Sequence, residues 1–204
     1  MSDAGLEGQI RDGLRVAQLK FSDPVISGCA AYITLLRQWN ARINLTALRL
    51  VDPLPQATLD KLILEPLMAA PLISAPTVNW IDLGSGGGSP AIPLRLTHRG
   101  GTLTMVESRH RKCAFLREAT RRLELERTFT RAARFEELTP EREADLVSIR
   151  AVRLDEPTAD LIAAVLQSGG TLFAFGSRVI DSRFVLEQEV QLPDGSELFR
   201  YRRS

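Results

Sequence analysis

Four glycines fall within five positions of this chain, Gly84, Gly86, Gly87 and Gly88, with Ser85 among them. They follow directly on a short apolar run, Val78 to Leu83, that carries the acid Asp82. Glycine lacks the Cβ that keeps a ligand off the main chain and tolerates positive φ. The residues Ser89-Pro90-Ala91-Ile92 then read as a helix start, Ser89 as N-cap and Pro90 at the first helical position. Such a turn aims unpaired N–H groups at whatever lies against it. A second acid, Glu107, stands 23 residues after Gly84 and closes the apolar run Leu103 to Val106. A carboxylate at the end of the next strand is where ribose hydroxyls sit in a doubly wound sheet. The chemistry indicated is the binding of a nucleoside-bearing cofactor.

Two cofactors suit this spacing, a dinucleotide and S-adenosylmethionine. The dinucleotide fingerprint is G-x-G-x-x-G, and Ser89 stands where its third glycine belongs. Asp82-Leu83-Gly84-Ser85-Gly86-Gly87-Gly88 has instead the acid-x-Gly-x-Gly-x-Gly form of S-adenosylmethionine-dependent methyltransferases. A tight turn that binds nothing is the plain alternative.

The elements that must position these groups follow from periodicity. Leu6, Ile10, Leu14 and Ala17 predict a helix over residues 6–20. Ser22 or Asp23 caps a second, with Pro24 near its start and Ile26, Cys29, Ala30, Ile33, Leu36 and Trp39 on its apolar face. It ends in the polar corner Asn40 to Thr46, whose side chains compete for backbone hydrogen bonds. A third helix covers 53–70, with Pro66 expected to kink or end it. Residues 1–75 thus form a helical extension, and 76–204 a cofactor-binding core onto which it packs as one unit.

Within the core, the helix after Glu107 carries an apolar stripe of Cys113, Leu116, Ala119, Thr120 and Leu123 and an arginine-rich outer face. Strands are expected at Thr128–Ala132, Ala144–Ile149 and Thr171–Phe175, with a helix over 156–167. A closing hairpin surrounds Pro193-Asp194-Gly195. Strands alternating with helices imply an α/β fold, a mostly parallel sheet with an antiparallel end.

Composition limits the classes. The chain is an ordinary globular one, 204 residues at 44% hydrophobic content, without an apolar run near the ~20 residues a membrane span needs. Its start lacks signal-peptide character, and Cys29 and Cys113 read as free thiols of a reducing cytoplasm. Residues 99–134 hold ten Arg or Lys against four Glu, whereas 135–204 are net acidic. That band suits an anionic partner; it also suits a chain whose basic residues are nearly all arginine.

Taken in order, Trp39-Asn40, Asn44-Leu45-Thr46, the Asp82–Gly88 turn, Pro90-Ala91-Ile92-Pro93-Leu94, Glu107-Ser108, Lys112, Phe115-Leu116, Arg134, Glu136-Glu137 and Arg150-Ala151 resemble one family. This is the bacterial small-subunit ribosomal RNA guanine-N7 methyltransferases, also called the glucose-inhibited division protein B family. The resemblance runs from about residue 30 to 176. It implies a Rossmann-like methyltransferase fold and methyl transfer from S-adenosylmethionine to guanine N7 in 16S rRNA. The partner it implies is that RNA, the small ribosomal subunit or an assembly intermediate, met by a monomer away from membranes. Two departures stand out. Leu62-Ile63-Leu64-Glu65-Pro66 replaces the family's His-Ile-Leu-Asp-Ser, and Ala174-Phe175-Gly176-Ser177 lacks the lysine of its Leu-Lys-Gly. These motivate the alternative of a cofactor-binding protein with altered substrate or no catalysis; an NAD-dependent oxidoreductase is the third reading.

Roles follow on that footing. The backbone at Gly84, Ser85, Gly86 and Gly88 approaches the cofactor's amino-acid portion, with Asp82 nearby, directly or through water. Glu107, with Ser108 beside it, takes the ribose. Arg134, Phe135 and Glu136 lie by the adenine. Arg134 and Arg150 hold the cofactor carboxylate or an RNA phosphate, or simply pair with Glu136 or Asp145. Asn44, Thr46, Arg109, Arg111, Lys112 and Arg150 are the RNA contacts. Neither His98 nor His110 is expected to act as a base, no metal site is expected, and guanine N7, a lone pair without a hydrogen, requires no base.

Overall fold

The computed structural model describes residues 3–73, 78–134, 137–138 and 144–204. The expected residues Phe135 and Glu136 lie outside them. Two long helices open the chain, α1 (Asp3–Val16) and α2 (Asp23–Asn40). α1 ends earlier than its apolar spacing suggests, because Gln18 enters the left-handed region at φ 57° and turns the chain.

The third predicted helix is a composite of α3 (Gln56–Leu59), a π-helical turn (Asp60–Leu64), α4 (Glu65–Ala69) and a 3₁₀ turn (Ala70–Leu72). Pro66 neither ends it nor sits at a simple kink. The Glu65 N–H reaches back five residues to the Asp60 carbonyl, and Pro66 has no N–H to give. The carbonyls of Lys61 and Leu62 therefore lose their helical partners and look outward for donors.

The core is a seven-stranded sheet in the order β3-β2-β1-β4-β5-β7-β6. Its strands are β1 (Asn79–Leu83), β2 (Thr102–Glu107), β3 (Thr128–Ala132), β4 (Ala144–Arg150), β5 (Leu166–Phe175), β6 (Phe184–Gln191) and β7 (Glu197–Arg203). The first five pair in parallel, and β7 joins β5 and β6 antiparallel. The mixed α/β sheet is the one expected. β5 starts earlier than expected, its first residues pairing irregularly with β4.

Side chains alternate faces along each strand. Trp80, Leu103, Met105, Leu146 and Phe173 point to the face covered by α1, α2, the composite helix, α5 (Ala91–Thr97) and α6 (His110–Arg122). Ile81, Leu83, Val106, Val147 and Ile149 point to the other face, where α7 (Glu156–Val165) packs. Phe115, which the predicted stripe of α6 omits, is fully buried and meets Trp39 edge to face at 5.9 Å. The direction of chain reversal changes between β1 and β4, so a crevice opens beyond the C-terminal ends of β1, β2 and β4.

Candidate functional site

β1 delivers the glycine turn into that crevice. Gly84 and Gly86 adopt φ of 73° and 53°, values that an L side chain reaches only with strain. The turn is tied to the neighbouring strand, since the N–H groups of Gly84 and Ser85 both donate to the Val106 carbonyl. Glu107 at the tip of β2 then fixes it from across the gap. Its Oε2 accepts from the Gly86 N–H at 3.0 Å and its Oε1 from the Arg109 N–H at 2.8 Å. Sequence separation of 21 residues is thereby closed by one carboxylate.

Around this pair lies a cleft of about 480 Å³. Gly84, Ser85, Gly86, Glu107, Thr46, Lys112 and Arg150, all expected site residues, line it. The others do not. Gly88 faces away: a Cβ there would fall 2.5 Å from Ile92, so its glycine serves the packing of α5. Gly87 lines the cleft in its stead. Asp82 is buried beneath the turn, only 1% exposed. Asn44, Ser108, Arg109, Arg111 and Arg134 are exposed outside the lining. A larger groove of about 630 Å³ between α1 and the β6–β7 turn shares none of these residues.

Asp82 sits in a relay of its own. Trp80 Nε1 donates to Ser148 Oγ at 2.9 Å, and the Ser148 hydroxyl donates to Asp82 Oδ1. Asp82 Oδ2 has no partner among the described residues. Burial pushes the carboxyl up to about 6, against the hydrogen bonds that favour its charge. The Asp82 carbonyl accepts from Ser85 Oγ, so this residue shapes the turn from below.

Arg150 departs furthest from expectation. It lines the cleft but does not pair with Asp145, which instead accepts from Asn79 N–H and Gln167 Nε2. Its guanidinium turns toward the composite helix. One arm donates to the Lys61 carbonyl and to Ser89 Oγ, the other to Glu65 Oε2 at 2.9 Å, and the group stacks 4.4 Å from the Phe175 ring centre. Ser89 Oγ in turn donates to the Leu62 carbonyl at 3.1 Å. The two carbonyls that Pro66 leaves unpartnered are the ones taken up here. That explains why Ser89 does not cap α5; Pro90 holds the cap position and the serine hydroxyl is engaged elsewhere. Glu65 also meets Lys61 Nζ at 3.4 Å, and Lys61 bonds Asp194 in the β6–β7 turn at 2.7 Å. Burial nonetheless carries Glu65 up to about 7 and lowers Arg150.

The opposite lip is the polar corner after α2. Asn40 Oδ1 accepts from the N–H groups of Leu45 and Thr46 at 2.8 and 3.0 Å, which sets Leu45, Thr46 and Leu48 against the cleft. Ala151, at φ 53°, bends the chain after β4 and brings Val152 and Arg153 to the lining. Sequence reasoning missed Lys61, Val152 and Arg153; the Arg150-Ala151-Val152-Arg153 run at a strand end was the available signal. Leu62, standing where the family has histidine, lines the cleft, whereas Gly176 is exposed outside it and bonds the Glu197 carbonyl. His98 is half-buried, and His110 is exposed at the start of α6.

Residues 26–195 match the family model of rRNA small subunit methyltransferase G. A ribosomal RNA small subunit methyltransferase G of Xanthomonas oryzae pv. oryzae is 32% identical over 215 aligned residues, 96% of this chain and 88% of that one. The protein of that name from Stenotrophomonas maltophilia is 34% identical over 80% of this chain and 72% of its own. Among solved structures, a putative O-methyltransferase from Klebsiella pneumoniae superimposes with TM-score 0.66 at 14% identity, over 95% and 96% of the two chains. An O-methyltransferase from Bacillus cereus in complex with SAH gives 0.63 at 14% identity, over 85% and 91%. The solved structures share the methyltransferase fold with this chain.

Proposed function

Because this chain belongs to the rRNA small subunit methyltransferase G family, we propose that its cleft holds S-adenosylmethionine on the glycine-turn side and delivers a methyl group to N7 of a guanine in 16S rRNA. The protein is an S-adenosylmethionine-dependent methyltransferase of small-subunit ribosomal RNA, not a dinucleotide oxidoreductase. The observation that carries this use of the cleft is the Gly86 N–H bonded to Glu107 at the joint tip of β1 and β2.

The residues fit such a cofactor. A Cβ built on Gly86 meets nothing nearer than the Gly84 carbonyl at 3.7 Å, so the turn is a cradle that any side chain would fill. Glu107 is fixed by two main-chain donors, and each carboxylate oxygen keeps acceptor capacity for ribose hydroxyls. When bound, the cofactor supplies a methyl group on a cationic sulfur, an in-line displacement in which positioning is the enzyme's main task. The apolar lining from Leu36, Leu45, Leu48 and Leu62 gives a base a dry, flat surface. Glu107 is the one acid among the described lining residues, and no histidine joins it. That set suits N7, which has no proton to remove.

Leu62 in the lining favours a second reading, altered substrate use within the same fold. The reading also makes the enzyme a monomer of the cytoplasm acting on naked 16S rRNA, the small subunit or an assembly intermediate. Two buried, unbridged thiols, Cys29 and Cys113, support that compartment; no helix among the described residues is long and apolar enough to cross a membrane.

Calorimetric titration with S-adenosylhomocysteine tests the site. The wild-type chain is expected to bind, and Gly86→Val to lose about 100-fold or more in affinity, a loss of about 2.7 kcal/mol. Circular dichroism should show the fold retained. Unchanged affinity in the variant would move the cofactor elsewhere. Incubation of labelled S-adenosylmethionine with 16S rRNA or small subunits, followed by chemical scission at N7-methylguanosine, tests the reaction. Label found only on exocyclic amines or on ribose would overturn the N7 assignment and favour the second reading.

A further inference from the structure

The cations around the cleft divide by partner. Several surface arginines are matched with carboxylates: Arg11 with Asp23, Arg121 and Arg122 with Glu118, Arg183 with Asp181 and Asp160, Arg202 with Glu187. Six cations near the cleft have no side-chain hydrogen bond or ion pair among the described residues. Arg42 and Arg49 bracket the Leu45–Leu48 lip. Arg109, Arg111, Lys112 and Arg117 occupy the residue before α6 and its first two turns, opposite.

Their main chains are pinned even though their side chains are unpaired. The Arg42 N–H donates to the Trp39 carbonyl at 2.9 Å and the Arg49 carbonyl accepts from Thr58 Oγ1 at 3.1 Å. On the other side the Arg109 N–H is held by Glu107 itself. Exposed cations without an acid partner among the described residues thus stand in sequence beside both lips of the cleft and put positive charge on either side of it. The floor between the lips is leucine. Cations flanking an apolar slot are complementary to a phosphate backbone on either side of one unstacked base.

Building on the methyltransferase reading, we infer that single-stranded RNA crosses the cleft from lip to lip. Its phosphates rest on Arg42 and Arg49 on one side and on the start of α6 on the other, and the guanine between them turns out of its stack into the leucine-lined slot. Arg150 takes no part, being committed to Glu65 and the helix carbonyls. An enzyme that acts on a base commonly takes it out of the stack in this way.

The test is the salt dependence of binding by the protein saturated with S-adenosylhomocysteine. The probe is a short single-stranded RNA holding one guanosine among adenosines and uridines. Each phosphate contact contributes roughly 0.7 to the slope of log affinity against log salt for single strands. Arg42→Gln/Arg49→Gln and Arg111→Gln/Arg117→Gln are each expected to lower that slope by roughly 1 to 1.5 while S-adenosylhomocysteine affinity stays as in wild type. The same RNA annealed to its complement is expected to compete poorly. Arg42→Lys/Arg49→Lys should keep the wild-type slope; its loss there would mean a structural effect and overturn the inference. An unchanged slope in either glutamine pair, or equal competition by the duplex, overturns it as well. Failure of the wild-type chain to bind S-adenosylhomocysteine would instead strike the reading beneath it.

Discussion

Arg150 and Lys112 line the same cleft about one helix apart in role. Arg150 is enclosed by Glu65, the Lys61 carbonyl, Ser89 and Phe175; Lys112 has no partner among the described residues and stands on the rim. Taking a charge out of water costs several kcal/mol, which only close pairing and hydrogen bonds repay. A cation that has been so enclosed is committed, and its work is to join the helical extension to the glycine turn. A cation left in solvent has paid nothing and can still meet an anion. The wall of the cleft and its rim therefore divide the labour between holding shape and meeting a partner.

Removing Arg150 should break the wall. Arg150→Met leaves buried Glu65 with only the longer contact to Lys61 and leaves the Lys61 carbonyl of the π turn short of its donor. A loss of about 3–5 kcal/mol in urea-unfolding free energy is expected. Arg150→Lys should recover only part, because an ammonium lacks the fork that reaches Glu65, Ser89 and a carbonyl together. A loss under about 1 kcal/mol in Arg150→Met, the range of exposed ion pairs, would show that the wall and the rim do not differ.

Asp82 sharpens the comparison from the wall's other side, as a buried acid that forms no ion pair among the described residues and feels Arg150 only at a distance. Its folded pKa, about 6, lies above the unfolded value of 3.8, so between those values the folded chain holds a proton that the unfolded chain has released. The stability from this group is fully present below 3.8 and is lost as pH rises through 6. A rise of about two units corresponds to on the order of 3 kcal/mol. Urea unfolding of wild type and Asp82→Asn should diverge by that order between acid and neutral pH, wild type falling relative to the variant. Parallel stability profiles would remove Asp82 from the buried machinery.

How much of this was visible beforehand depends on the range of the interaction. The glycine turn and Glu107 are local signals at the ends of two short apolar runs, and the parallel sheet brings strand ends together as a rule of the fold. Arg150 also reads as a strand-end residue, but its partner is 85 positions away. The pairing arises because Pro66 shifts a helix into a π turn and frees two carbonyls, a consequence no periodicity carries. Gly87 and Gly88 are alike in sequence; only the approach of Ile92 to Gly88 decides which of them faces the cleft. Phe115 is buried because Trp39, on a distant helix, covers it.

A smaller effect is expected at the hinge between wall and rim. Asn40 lies beside Trp39, and its carbonyl oxygen accepts from two consecutive main-chain donors much as a helix cap does. Asn40→Ala should cost about 1–2 kcal/mol of stability and free the Leu45–Leu48 lip, which faster amide exchange at Leu45 and Thr46 would report. Asn40→Asp, which keeps the acceptor, should restore protection. Unchanged exchange in Asn40→Ala would mean that the lip is held by its leucines alone.

The smallest change in stability belongs to Lys112, and it bears most directly on the division itself. Its ammonium lies 3.9 Å from where a Gly86 Cβ would stand, closer to the cofactor cradle than any other rim cation named here, so it is the residue most open to reassignment. As a rim cation, Lys112→Gln should leave unfolding free energy within about 0.5 kcal/mol of wild type, the usual range for surface substitutions. Calorimetry should find S-adenosylhomocysteine affinity changed less than two-fold, roughly 0.4 kcal/mol, while the salt slope for single-stranded RNA falls by roughly 0.7. The opposite pattern, a weakened cofactor with an untouched slope, would make Lys112 part of the wall. The boundary between holding and meeting would then run along α6 rather than through the cleft.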